Sequence, residues 1–202
     1  MKEWYDSTMN EEMIPTYTGE ISLARWDDDK DDYVDLLNLE AFGETDVEVM
    51  RKLAGLIPVV KHMAPALGVG SLPGVYISIT YPTFGLSPDA HHTAGFAVQD
   101  VEHLSSHIAF AIQIEVNHTR RSVFKAKTPN SEWFVDHTDE QWVAELNALL
   151  DSYEAELKKA IADGTWAEYT KKRKRAQRER TNFLKMRKLA RALGRENTDV
   201  RC

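Results

Sequence analysis

The sequence predicts an α+β fold: an antiparallel or mixed sheet of about four to six strands flanked by helices, with a long basic helix at the C-terminus. Three observations lead there. Apolar residues alternate with polar ones in several short segments, most clearly from Val75 to Tyr81. Trp142, Leu146, Leu149, Tyr153, Leu157 and Ala160 recur every three or four residues, which is helical spacing. The order is a helix, a run of strands, then helices, which fits α+β rather than a doubly wound sheet.

Residues 1–15 read as a flexible lead-in and 16–164 as an acidic globular body. Within that body, Tyr17 to Trp26 is a strand, because Ile21 and Leu23 alternate with polar neighbours. Tyr33 to Phe42 fits either a strand or a short helix. Thr45 and Glu48 have capping-box spacing, so a helix follows, carrying Val49, Met50, Leu53, Leu56, Ile57 and Val60. Pro58 should split it. Gly68, Gly70, Pro73 and Gly74 form a loop before the strand at 75–81, which Pro82 ends. Thr83 to His92 is turn-rich, and Thr93 to Val101 reads as another strand.

His107 to Val116 has two readings. Ile108, Phe110, Ile112, Ile114 and Val116 share one face if the chain is extended. Val101, Leu104, Ile108, Ala111 and Ile112 share one face if it is helical. The β-branched content and the length of the alternation favour a strand. Ser122 to Lys127 would then pair back as a hairpin, and Glu132 to Val135 would add a short strand. Thr138 and Gln141 make a second capping box, opening the helix that runs toward Gly164. Thr165 and Glu168 make a third. It opens a tail, 165–202, whose helix continues to Leu193 and stops at Gly194.

With 202 residues, 43% hydrophobic and 28% charged, the chain is long enough and apolar enough for a real core. Its single cysteine, Cys202, excludes a disulfide framework and a multi-cysteine zinc site. No apolar run reaches the ~20 residues of a membrane span, and no apolar leader opens the chain, so an intracellular, cytoplasmic or virion-associated protein is expected. Glycine-rich phosphate loops and a serine nucleophile elbow are absent.

The net charge of −7 conceals a division. Residues 1–170 hold 12 Lys/Arg against 29 Asp/Glu, a net −17, whereas 171–202 hold 13 against 3, a net +10. Asp27 to Glu48 alone carries −9, with Lys30 its only cation. An EF-hand is excluded there, since counting from Asp27 puts Asp32 at position 6 and Asn38 at position 12.

The basic tail is therefore the leading functional candidate. Lys171, Lys172, Arg173, Lys174, Arg175, Arg178 and Arg180 surround a helix with positive charge. Lys185, Arg187, Lys188 and Arg191 follow beside an apolar stripe of Phe183, Met186, Leu189, Ala190 and Leu193. Such a segment suits a nucleic-acid phosphate backbone or an acidic partner protein. The expected role is non-catalytic binding, regulatory or within a nucleoprotein or viral assembly. Acidic–basic pairing between copies would give a homo-oligomer. A structural subunit with protein-only contacts is one alternative. A metal-dependent hydrolase is the other, built on His91, His92, His103 and His107, where His103 and His107 could share a divalent metal only on a helix. No cofactor is otherwise implied. The two His-x-Thr/Ser motifs, at His91 and His103, lie too close together for a two-histidine phosphoesterase.

Overall fold

The computed structural model describes residues 16–192. The lead-in 1–15, and the expected helix end at Leu193 and Gly194, lie outside the described residues. The fold is α+β, with a four-stranded antiparallel sheet at its centre. Its strands are β1 (Tyr17–Asp27), β2 (Asp32–Gly43), β3 (Val75–Pro82) and β4 (His91–Val98). They are ordered β2-β1-β3-β4, with every neighbouring pair antiparallel.

The ambiguous segment 33–42 is β2, in a hairpin with β1. Ile21 faces Leu39, and Leu23 faces Leu37. A bulge after Leu23 then shifts the register, so that Ala24 faces Asp35. One sheet face is apolar. Ile21, Leu23, Val75, Ile77 and Ile79 are buried on it, each contributing roughly 1.5–3 kcal/mol of transfer free energy. Among the described residues nothing covers the other face, where Trp26, Phe42 and Tyr76 are exposed.

Helices α1 (Asp46–Gly55) and α2 (Ile57–Met63) carry the chain from β2 across to β3. Thr45 caps α1 by accepting from the Glu48 amide at 3.1 Å. Glu48 does not close a full capping box, because its carboxylate accepts from the Glu44 amide instead, at 2.8 Å. Pro58, in the first turn of α2, separates the two helices as expected. Gly19 lets α1 lie close to the sheet. A Cβ there would stand 2.7 Å from Val49 Cγ1 and 2.9 Å from Leu53 Cδ1.

The segment expected to form a strand at 108–116 is helix α3 (Leu104–Thr119). It runs under the sheet and is buried on nearly every side. Apolar residues therefore surround its axis, and the alternating subset that mimics a strand is only part of them. The expected hairpin at 122–127 does not form either. The chain continues from α3 into a single wider turn, Arg120–Phe124, and leaves through Lys125 at φ 56°. Glu132 to Val135 joins no sheet. It crosses the surface with Phe134 at φ 52°, packing Trp133 against Phe110 at 4.1 Å between ring centres.

Helix α4 (Asp139–Ala162) starts from a complete capping box, with Thr138 and Gln141 bonding each other's backbone. It buries Trp142, Leu146, Leu150, Tyr153 and Ala160. Gly164, at φ 80°, makes the left-handed turn into α5 (Thr165–Ala192). Thr165 is the first residue of α5 rather than its N-cap, its amide held by the Asp163 carboxylate at 3.0 Å. Among the described residues no helix is long and apolar enough to cross a membrane.

Candidate functional site

α5 contains neither glycine nor proline and is dominated by strong helix formers, so its local propensity is high throughout. It has two unequal parts. The first two turns dock: Trp166 packs against the core, and its ring lies 5.4 Å from that of Tyr169. Arg173 then reaches into the body. Beyond it, every residue from Lys174 to Leu189 is exposed.

Arg173 is held by a buried network. Its Nη1 donates to the Phe84 carbonyl, to Glu115 Oε1 at 3.3 Å and to the Tyr169 hydroxyl at 3.0 Å. Its Nη2 donates to the same Glu115 oxygen at 3.3 Å. Glu115 is only 2% exposed. The Phe84 amide also donates to Oε1, at 3.3 Å, and His92 Nδ1 donates to Oε2, at 2.9 Å. Burial works against the Glu115 carboxylate, but the His92 bond and the Arg173 charge prevail and hold it below the usual carboxylate range. Around this network, burial raises Asp46 to about 6 and Tyr81 to about 12. Burial likewise raises Tyr153, whose hydroxyl has no hydrogen-bond partner.

Arg173 is thus an anchor and is not free to meet an outside ligand. The rest of the basic set, Arg175 excepted, is exposed and unpaired among the described residues. Among the described residues α5 makes one further ion pair, Arg175 with Glu179 at 2.8 Å. Lys171, Lys172, Lys174, Arg178 and Arg180 are exposed and pair with no carboxylate among the described residues, and the same holds for Lys185, Arg187, Lys188 and Arg191. Lys171 and Arg175, like Lys174 and Arg178, are four residues apart. Such like-charge neighbours destabilise an isolated helix by a few tenths of a kcal/mol per pair.

The four candidate histidines do not converge. His91 starts β4 at an exposed position, and His92 serves Glu115. His103 precedes the first turn of α3 and bonds Asp100 at 2.8 Å. His107 lies inside that helix, 3% exposed, stacked on Phe96 with ring centres 4.8 Å apart. Burial lowers its value to about 4, the charge on His103 acting the same way. Helical spacing thus relates His103 and His107, but neither joins a group of three close potential ligands among the described residues. The group that does form is Glu132, His137 and Glu145, with one ligand atom from each within 4.8 Å of the others. In it His137 Nε2 already bonds Glu145 Oε1, at 2.7 Å. A groove of about 680 Å³ runs past His103, Ser106, Phe134, His137 and Asp139.

The sequence shows the basic helix, and Trp166 and Tyr169 as residues able to anchor it to the body, but not the Arg173–Glu115 pair. The available signal was Glu115, a lone carboxylate in the apolar run from Ile108 to Val116. A charge in such a run is buried only with a partner. Comparison with known proteins gives no counterpart: no family model matches the chain, and no characterised protein or solved structure resembles it significantly.

Proposed function

We propose that this protein is a non-catalytic binder of nucleic acid, with the Lys171–Arg180 segment of α5 lying along the phosphate backbone. One observation supports this above the others. Five cations of that segment project from a docked helix with no carboxylate partner among the described residues, while crowding one another. A polyanion would relieve that repulsion and release its own condensed counterions. The segment 171–180 spans about 15 Å, a little under half a turn of duplex. The segment 171–180 has no aromatic residue, so base stacking and sequence readout are not expected.

The test is a binding titration on duplex DNA and on RNA. It compares the full chain with a variant carrying Gln at 171, 172, 174, 178 and 180 and retaining Arg173. Five phosphate contacts, one for each free cation, imply that log K falls against log salt with a slope of roughly −4.5. The variant should bind at least ten-fold more weakly, with a shallower slope. Equal binding by both proteins would overturn the proposal. So would no binding by the wild type at low salt, an outcome that points instead to an acidic protein surface.

A further inference from the structure

The open face of the sheet and the far end of α5 are two uncovered surfaces of opposite character. Trp26, Tyr33 and Tyr76 form an aromatic corner on that face, with ring centres 5.0 and 5.2 Å apart. All three are more than a third exposed, and Phe42, on the same face, is 50% exposed. Carboxylates accompany them: Glu20 faces Glu40 across the β1–β2 ladder, and Asp35 faces Ala24. By strand alternation, the outward positions of the four strands carry no lysine or arginine. The acidic β1–β2 loop lies at the aromatic end.

The far end of α5 is the complement. Phe183, Met186, Leu189 and Ala190 recur at three- and four-residue spacing along one stripe, and the first three are 52–64% exposed. Lys185, Arg187, Lys188 and Arg191 lie on the rest of the helix surface together with Leu184, which is itself 50% exposed. Within one chain these surfaces do not meet. α5 docks on the helical side, against α4 and the Phe84–Gly85 loop, whereas the aromatic corner faces away from the helices.

We infer that the open sheet face receives residues 183–191 of α5 from a second copy of this chain. The apolar stripe would lie on the aromatic residues, and the flanking cations would reach Glu20, Asp35 and Glu40. Charge complementarity selects this occupant: a basic amphipathic helix is what an acidic, aromatic sheet face can hold. The interface is heterologous, so each subunit would offer one tail and one face. It uses a segment distinct from the proposed phosphate-binding one.

Two variants test this on nuclease-treated full-length protein, by size exclusion with light scattering at ~100 µM and low salt. Phe183→Ser/Met186→Ser/Leu189→Ser disables the tail, and Asp35→Lys/Glu40→Lys disables the face. Every changed side chain is exposed, so both variants should keep the wild-type thermal midpoint. The wild type should run larger than a monomer and dissociate in high salt, and each variant should be monomeric. Mixed together, they should form a 1:1 dimer, because one supplies an intact face and the other an intact tail. Both should still bind duplex DNA, which separates this surface from the 171–180 segment. A monomeric wild type, a variant that still assembles, or a mixture that stays monomeric would each overturn the inference.

Discussion

α3 and α5 are built from the same backbone geometry and placed in opposite surroundings. In α3, 13 of 16 residues are buried, among them His107, Gln113, Glu115, Asn117 and Thr119. In α5, none of 28 residues is buried. Neither helix as a whole shows a continuous one-sided apolar stripe, because amphipathicity marks a helix with one wet side. The core holds one in place; the other is held at its base by Trp166 and by a single buried ion pair, Glu115 with Arg173. The comparison separates two uses of charge. In α3 a charge must be satisfied inside the molecule, and along α5 it is left for something outside.

The sharpest way to break this contrast is at the pair that joins the two helices. Arg173→Ala should leave Glu115 buried, held only by its hydrogen bonds from His92 and the Phe84 amide, and destabilise the fold by about 3 kcal/mol at neutral pH. The pair acts by holding the Glu115 value down in the folded state. Its contribution is therefore present above the unfolded carboxylate value and lost as pH falls through the folded one. The deficit of the variant, read from urea unfolding, should narrow in acid. A deficit under 1 kcal/mol at pH 7 would mean that α5 is not anchored through Glu115.

What was legible in the sequence follows the same division. β3 was legible because one face is wet and one dry, which leaves Val75, Ile77, Ile79 and Tyr81 in alternation. α4 was legible because Thr138 and Gln141 mark its start and one stripe faces the core. α3 was not, because burial on all sides removes the polar spacing that would give the helical period. The cations of α5 were legible as composition, but the special status of Arg173 was not. It depends on Glu115, 58 residues away, and nothing local distinguishes Arg173 from Arg175. The acidic face was visible only as a run of charge, since its aromatic corner depends on the β1–β3 register, which sets Ala24 beside Tyr76.

A smaller effect is expected from His107, whose surroundings are aromatic and whose Nδ1 is unpartnered. Burial lowers its value to about 4 from an ordinary value near 6.5. For a base lowered in this way, stability is complete above the unfolded value and declines as pH falls toward the folded one. His107→Phe keeps the stack on Phe96 and removes the titration. The wild type should lose about 2 kcal/mol from this group between pH 7 and pH 4.5, and the variant should not. Parallel acid limbs in the two proteins would show that α3 tolerates a charge at this position.

The smallest effect sharpens the contrast from the other side. Gln177→Pro interrupts α5 four residues beyond its anchor, removing an i→i−4 bond and clashing with the carbonyl of Arg173. The same change in the middle of α3 would be expected to prevent folding, because α1, α2, α4, β3 and β4 all pack on that helix. In α5 the damage should stay local, since no residue from Lys174 to Leu189 is buried. Far-UV dichroism should report a partial loss of helix, while the thermal midpoint followed by tryptophan fluorescence stays within a few degrees of wild type. A large drop in that midpoint would mean that the exposed length of α5 supports the body, and the division between anchored base and projecting arm would fail.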